Sequence, residues 1–151
     1  MNIKSLTKKA CIATLVAIGV VFSISPVNAY TYTCKDIVAV SKLVAGGTTW
    51  TSSQKSYAHA VLAEADHAVR EVLRMYLQKA NEGDQEAKTM MALLTQKGMG
   101  ENVSRRNELT LKVIQRVHLA EARVASIVSD FPSNQRFMMC IAYGLGAYAA
   151  S

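Results

Sequence analysis

The chain has no useful run of alternating apolar and polar residues, which argues against half-buried β-strands. Several chemistries are missing as motifs too. No C-x-x-C pair is present, so thiol-redox and zinc-knuckle spacings are excluded. No serine stands in a G-x-S-x-G turn, which excludes the nucleophile elbow of an α/β-hydrolase. Gly98-Met99-Gly100 lacks the Lys-Ser/Thr pair and the preceding strand that a phosphate loop requires. Acidic residues are absent from the first 29 positions. Cysteine is scarce, with three in 151 residues, and Trp50 is the only tryptophan.

The acid-free start is a pattern in itself. Lys4, Lys8 and Lys9 precede an apolar stretch from Ala10 to Ser25, and Pro26-Val27-Asn28-Ala29 follows with small residues near its end. These are the charged, apolar and cleavage regions of a secretory signal. The expectation is a signal peptide over 1–29 and a helical domain over 30–151. The apolar run is short for a spanning helix, which needs about 20 residues, so cleavage is expected rather than retention as an anchor. Removing the signal takes three of the 17 basic residues and none of the 11 acidic ones. The remaining net charge is +3, ordinary for one domain, and it does not point to nucleic acid.

Cys34 and Cys140 are the two cysteines left after cleavage. In an oxidising compartment the simplest reading is one disulfide between them. The competing reading is two separately buried thiols. Cys140 lies in Phe137-Met138-Met139-Cys140-Ile141-Ala142, an apolar setting that raises a thiol pKa and makes it inert.

Along the rest of the chain, helices alternate with short punctuation. Thr33 and Asp36 have the spacing of a capping box, and Gly46-Gly47 ends the first helix. The second runs from Thr51–Ser53 to about Asn81. Its Leu62, Ala65, Val69, Val72 and Tyr76 form a packed seam, with Val61, Leu73 and Leu77 widening it. Glu82-Gly83 breaks the chain and Asp84 caps a third helix reaching about Lys97. A fourth spans about Ser104 to Ser129 on Leu109, Val113, Val117, Ala120, Val124 and Ile127. It is expected to lie antiparallel to the second as a long hairpin. After Phe131-Pro132, Ser133 caps a fifth helix, apolar all round and therefore central. Cys140, Gly144 and Ala147 share one edge of it, where a neighbouring backbone can approach. The predicted fold is all-α, a single-domain bundle of four to five helices closed by one disulfide.

Candidate chemistry is sparse. Glu64-x-x-His67 has the spacing of a di-metal carboxylate bundle, but His118-x-x-Glu121 carries the partner residues in reversed order. Glu64, Asp66 and Glu71 share one helix, so they do not flank a glycosidic bond. No catalytic residue, metal or cofactor is expected. Arg105 and Arg106 form a basic pair at the start of helix four, where the helix dipole disfavours positive charge. Trp50 and Tyr57, with Tyr30 and Tyr32, gather aromatics at one end of the bundle. Aromatics and arginines are the usual anchors of protein interfaces, so Trp50, Tyr57, Arg105 and Arg106 are the candidate partner-binding residues.

Two short segments resemble known families. Thr33-Cys34-Lys35-Asp36-Ile37-Val38-Ala39-Val40 resembles the start of the HdeA family of periplasmic acid-stress chaperones, small helical proteins with one disulfide. The present chain is longer, and its cysteines lie further apart than in that family. Cys140-Ile141-Ala142-Tyr143-Gly144-Leu145-Gly146 is similar to a helix in periplasmic immunity proteins against type VI secretion amidases. Neither likeness transfers functional residues. Together they imply a small exported, disulfide-closed helical protein that binds other proteins. The expectation is a periplasmic or secreted binding factor without catalytic activity: an immunity protein, an inhibitor or a secretion-system accessory protein. The alternatives are an HdeA-type chaperone and a small peptidoglycan-acting enzyme. The expected partner is another envelope or secreted protein, with a homodimer as a further arrangement, no nucleic acid and no stable membrane insertion after cleavage.

Overall fold

Six helices carry the fold in a computed structural model that describes residues 30–47, 49–98 and 103–151, with side chains from residue 107 in the last segment. They are α1 Cys34–Gly46, α2 Ser52–Asn81, α3 Gln85–Gln96, α4 Val103–Leu119, α5 Glu121–Val128 and α6 Ser133–Ala150. The signal reading, on residues 1–29, lies outside the described residues. Among the described residues there is no strand, and no helix is long and apolar enough to cross a membrane.

The helix ends follow from local chemistry. Thr33 and Asp36 form the capping box of α1, and Gly47 leaves that helix in the left-handed region at φ 59°, where a Cβ would be strained. Thr51 caps α2 by accepting from Gln54 N at 3.1 Å. Gly83 turns the chain at φ 98°, and Asp84 accepts from Ala87 N at 2.9 Å to start α3. Pro132, rather than Ser133, occupies the cap position of α6. Proline suits it because the missing N–H has no partner at a helix start.

Among the described residues the bundle has six helices rather than the four to five expected, because the fourth predicted helix is two. Ala120 leaves helical geometry at φ −119° and ψ 31°, and its N–H bonds to Val117 O in a tighter turn. The predicted seam does continue across the break, since Val117 and Val124 on its two sides are both buried. Periodicity therefore gave no sign of it. The new direction lets α5 pack on α6, and Arg136 braces the following turn by donating to Phe131 O at 2.8 Å.

Helix α6 is the centre. Every residue from Phe137 to Gly146 is buried, as all-round apolarity requires. It packs most extensively on α4, and also on α2, α3, α5 and α1. The predicted α2–α4 hairpin is thus not the main pairing: those helices touch, but α2 packs most on α3 and α4 most on α6. The close approach expected along the small edge of α6 is present at Gly144. A Cβ there would stand 2.6 Å from Val113 O and 2.8 Å from both Val113 Cγ1 and Val117 Cγ2. Leu77, placed in the seam by its spacing, is instead half exposed.

Cys34 and Cys140 are joined, with an S–S distance of 2.09 Å and a Cα–Cα distance of 5.9 Å across 106 residues of sequence. The bond links the first helix of the bundle to the last.

Candidate functional site

Two regions gather a cluster of hydrogen-bonded polar groups or an exposed apolar side chain between grooves. The first is the N-terminal arm, Tyr30–Thr33, with the start of α1. Tyr30 stacks on Phe137 of α6 at a ring separation of 4.7 Å and tilts against His67 of α2 at 6.2 Å. Glu64 holds the arm's backbone: its two oxygens accept from Thr31 N at 2.9 Å and Tyr32 N at 3.0 Å. Burial, then the charges of Glu71 and Glu64, push the Tyr30 phenol up to about 12. The Glu64-x-x-His67 spacing is therefore accounted for by the arm. Among the described residues, no three His, Cys, Asp or Glu side chains group as a metal site.

Asp36 connects the arm, α1 and α2. It accepts from Thr33 N at 2.7 Å, from the Thr33 hydroxyl at 3.1 Å and, across a short contact, from the Tyr57 hydroxyl. Burial raises the Asp36 pKa, but the hydrogen bonds from Tyr57 and Thr33 outweigh it and hold the carboxyl below its ordinary value. Burial, followed by the bond to Asp36, pushes Tyr57 up to about 12, so it remains a donor. A carboxylate depressed in the folded state contributes stability above its unfolded pKa, near 4, and loses it as pH falls through the folded value. The urea midpoint should decline as pH is lowered from about 5 past that depressed value, and Asp36→Asn should flatten the decline. Equal slopes for the two proteins would remove Asp36 from the acid response.

Trp50 and Tyr57, expected as interface anchors, are half-buried and turned onto α1. The Trp50 indole donates to Leu43 O at 3.2 Å, which satisfies a carbonyl left open near the end of α1. Tyr57 also meets Tyr32 edge to face at 6.0 Å. Arg105 and Arg106 fall in the first turn of α4, and their side chains lie outside the described residues. The structure joins Trp50 and Tyr57 through α1. It makes no statement on the arginine pair as a contact.

The second region is the outer face of α4, which sequence reasoning missed. Leu111 is 38% exposed and Val44 37% exposed. Leu111 stands between two grooves. One, about 350 Å³, separates α2 from α4 and is lined by His59, Leu62, Ala63, Asp66 and Thr110. The other, about 300 Å³, separates α1 from α4 and is lined by Val44, Ala45, Glu108, Lys112 and Gln115. Leu111 falls off the predicted seam, and that was the available signal. Within the first groove Thr110 donates to Asp66 at 3.3 Å, while Asp66 pairs with Arg70 at 2.9 Å.

A serine and a histidine do meet beside the second groove, where Ser41 Oγ and His118 Nδ1 are 3.4 Å apart. The separation is long for a hydrogen bond. Ser41 is buried in the middle of α1, and among the described residues no carboxylate hydrogen-bonds the imidazole. An orienting third group is what gives such a pair its reactivity, and at this separation the pair is a weak contact of a buried hydroxyl. No family model, curated protein or solved structure matches the chain.

Proposed function

We propose that this is an exported periplasmic protein that acts by binding another envelope or secreted protein, without catalysis. An immunity protein, an inhibitor and a secretion-system accessory factor all fit that description. The observation that carries the reading is the face of α4. An exposed leucine flanked by two grooves fits the ridge-and-groove packing of a partner's helix. The basic pair Arg105–Arg106 begins the same helix. Trp50 supports the neighbouring C-terminal end of α1 through Leu43 O, Tyr57 holds its first turn through Asp36, and on this reading both contribute through that helix.

Mature protein used as bait on envelope extract should recover a stoichiometric partner. Leu111→Asp should weaken that capture by about tenfold or more while the helical circular dichroism is kept, since a charge in an interface centre is poorly solvated. Recovering nothing across several salt concentrations, or equal capture by the variant, would count against the reading.

A second reading, an HdeA-type acid-stress chaperone, is favoured by one observation. The arm and α1 are held to α2 through the carboxylates of Glu64 and Asp36, and protonation removes acceptors from both. Suppression of client aggregation in acid, at about pH 2–3, selects the chaperone. An immunity protein or inhibitor shows none.

A further inference from the structure

Glu64 lies midway along α2, half-buried, with both carboxylate oxygens committed to the arm. Ion pairs among the described residues include Lys42–Glu121, Arg70–Asp66, Arg74–Glu71 and Lys79–Glu82. Glu64 is in none of them. Its neighbour Glu71 is already matched by Arg74 at 2.7 Å. Among the described residues this carboxylate thus has two neutral donors and no cation to balance its charge.

The missing charge has an obvious source in the chain itself. Consecutive backbone nitrogens lie within about 3.7 Å of each other. Thr31 N is 2.9 Å from Glu64 Oε1, so Tyr30 N stands within about 7 Å of that carboxylate. As part of a peptide bond it is neutral. Hydrolysis of the Ala29–Tyr30 bond adds water across it, leaving a carboxylate on Ala29 and an amine on Tyr30 that takes up a proton. The catalyst is a signal-cleaving endopeptidase of the envelope. The amine's ordinary pKa is about 7.7–8.0, so it is mostly cationic at neutral pH.

We propose that Glu64 is the seat for the α-ammonium of Tyr30, so that removal of residues 1–29 completes an ion pair fastening the arm to α2. This rests on the exported reading above. The Tyr30 ring, stacked on Phe137, fixes the direction from which the ammonium arrives. Phe137 lies one turn before Cys140 on α6. A fastened arm therefore also holds Cys34 beside its disulfide partner. Maturation becomes the step that finishes the fold.

Four purified proteins test the seat: chains beginning at Tyr30 or at Pro26, each with and without Glu64→Gln. The four-residue extension moves the amino group away without altering the domain. The chain beginning at Tyr30 should melt about 3 °C or more above the extended chain, a shift of the size a partly buried ion pair produces. With Glu64→Gln the gap should close to about 1 °C or less. Equal melting of the two parent chains overturns the proposal, as does a gap that survives Glu64→Gln. N-terminal sequencing of the protein from envelope fractions tests the premise separately. Tyr30 as the first residue supports it; a full-length chain retained inside the cell overturns export and the maturation step together. The melting comparison judges the seat in either case.

Discussion

Cys34→Ser lowers the melting temperature by about 10 °C or more under oxidising conditions, equivalent to roughly 2–5 kcal/mol. The size follows from where the bond sits. It closes a loop of 106 residues and so restricts nearly the whole unfolded domain. In the chain-entropy account a loop of about 100 residues is worth near 4.7 kcal/mol, reduced by any structure that the unfolded chain retains. The two helices it joins make only a modest direct contact, so packing does not replace the cross-link. Reductant should bring the parent protein down to the level of the variant and leave the variant unchanged. A variant that keeps the parent's melting temperature would show that the bond is not what closes the fold.

Gly144→Ala is the second large effect. Alanine ordinarily favours a helix over glycine by about 1 kcal/mol, so an unobstructed site would gain stability. At Gly144 the added methyl would stand 2.6 Å from the backbone oxygen of Val113, and α4 must move away from α6. That contact is the largest in the bundle. Overpacking of this kind costs about 1–3 kcal/mol, which outweighs the propensity gain and lowers the melting temperature by several degrees. Val113→Ala in the same chain should not restore it, because the closest atom belongs to the backbone. Gly46 supplies the control. Nothing lies within 4 Å of a Cβ placed there, and Gly46→Ala should leave stability equal or slightly raised. Thermal and urea unfolding of the three variants check both signs. Matching melting temperatures for Gly144→Ala and the parent would mean that the helices are not so close.

Much of the secondary structure was legible because it depends on neighbours within four residues. Thr33 with Asp36, and Asp84 with Ala87, satisfy open backbone groups locally, as their spacing indicates. The all-apolar α6 could go nowhere but the interior. The cysteine pairing was also readable, though only as the simpler of two readings.

The candidate site was much less legible. Glu64 looks on paper like the first half of a metal motif, yet its partners are backbone amides 32 and 33 residues away, and backbone donors leave no trace in side-chain patterns. Ser41 reads as a polar helix residue and is buried against His118, 77 positions along the chain. Leu77 fits the apolar stripe of α2 yet is half exposed, because spacing marks a face as apolar without showing how far its neighbours extend over it.

The sequence alone determined the all-helical character of the described residues, most of the helix ends, the central burial of the last helix and the small edge at Gly144. Capping and periodicity act within one or two turns, so one sequence suffices to read them. Tertiary structure alone decided that α4 pairs with α6, that the chain turns at Ala120, that Leu111 is left between two grooves and that Glu64 holds the arm. Those outcomes depend on which of several similar apolar faces meet across long sequence separations. Small differences in burial and fit choose among them, and no local pattern encodes those differences.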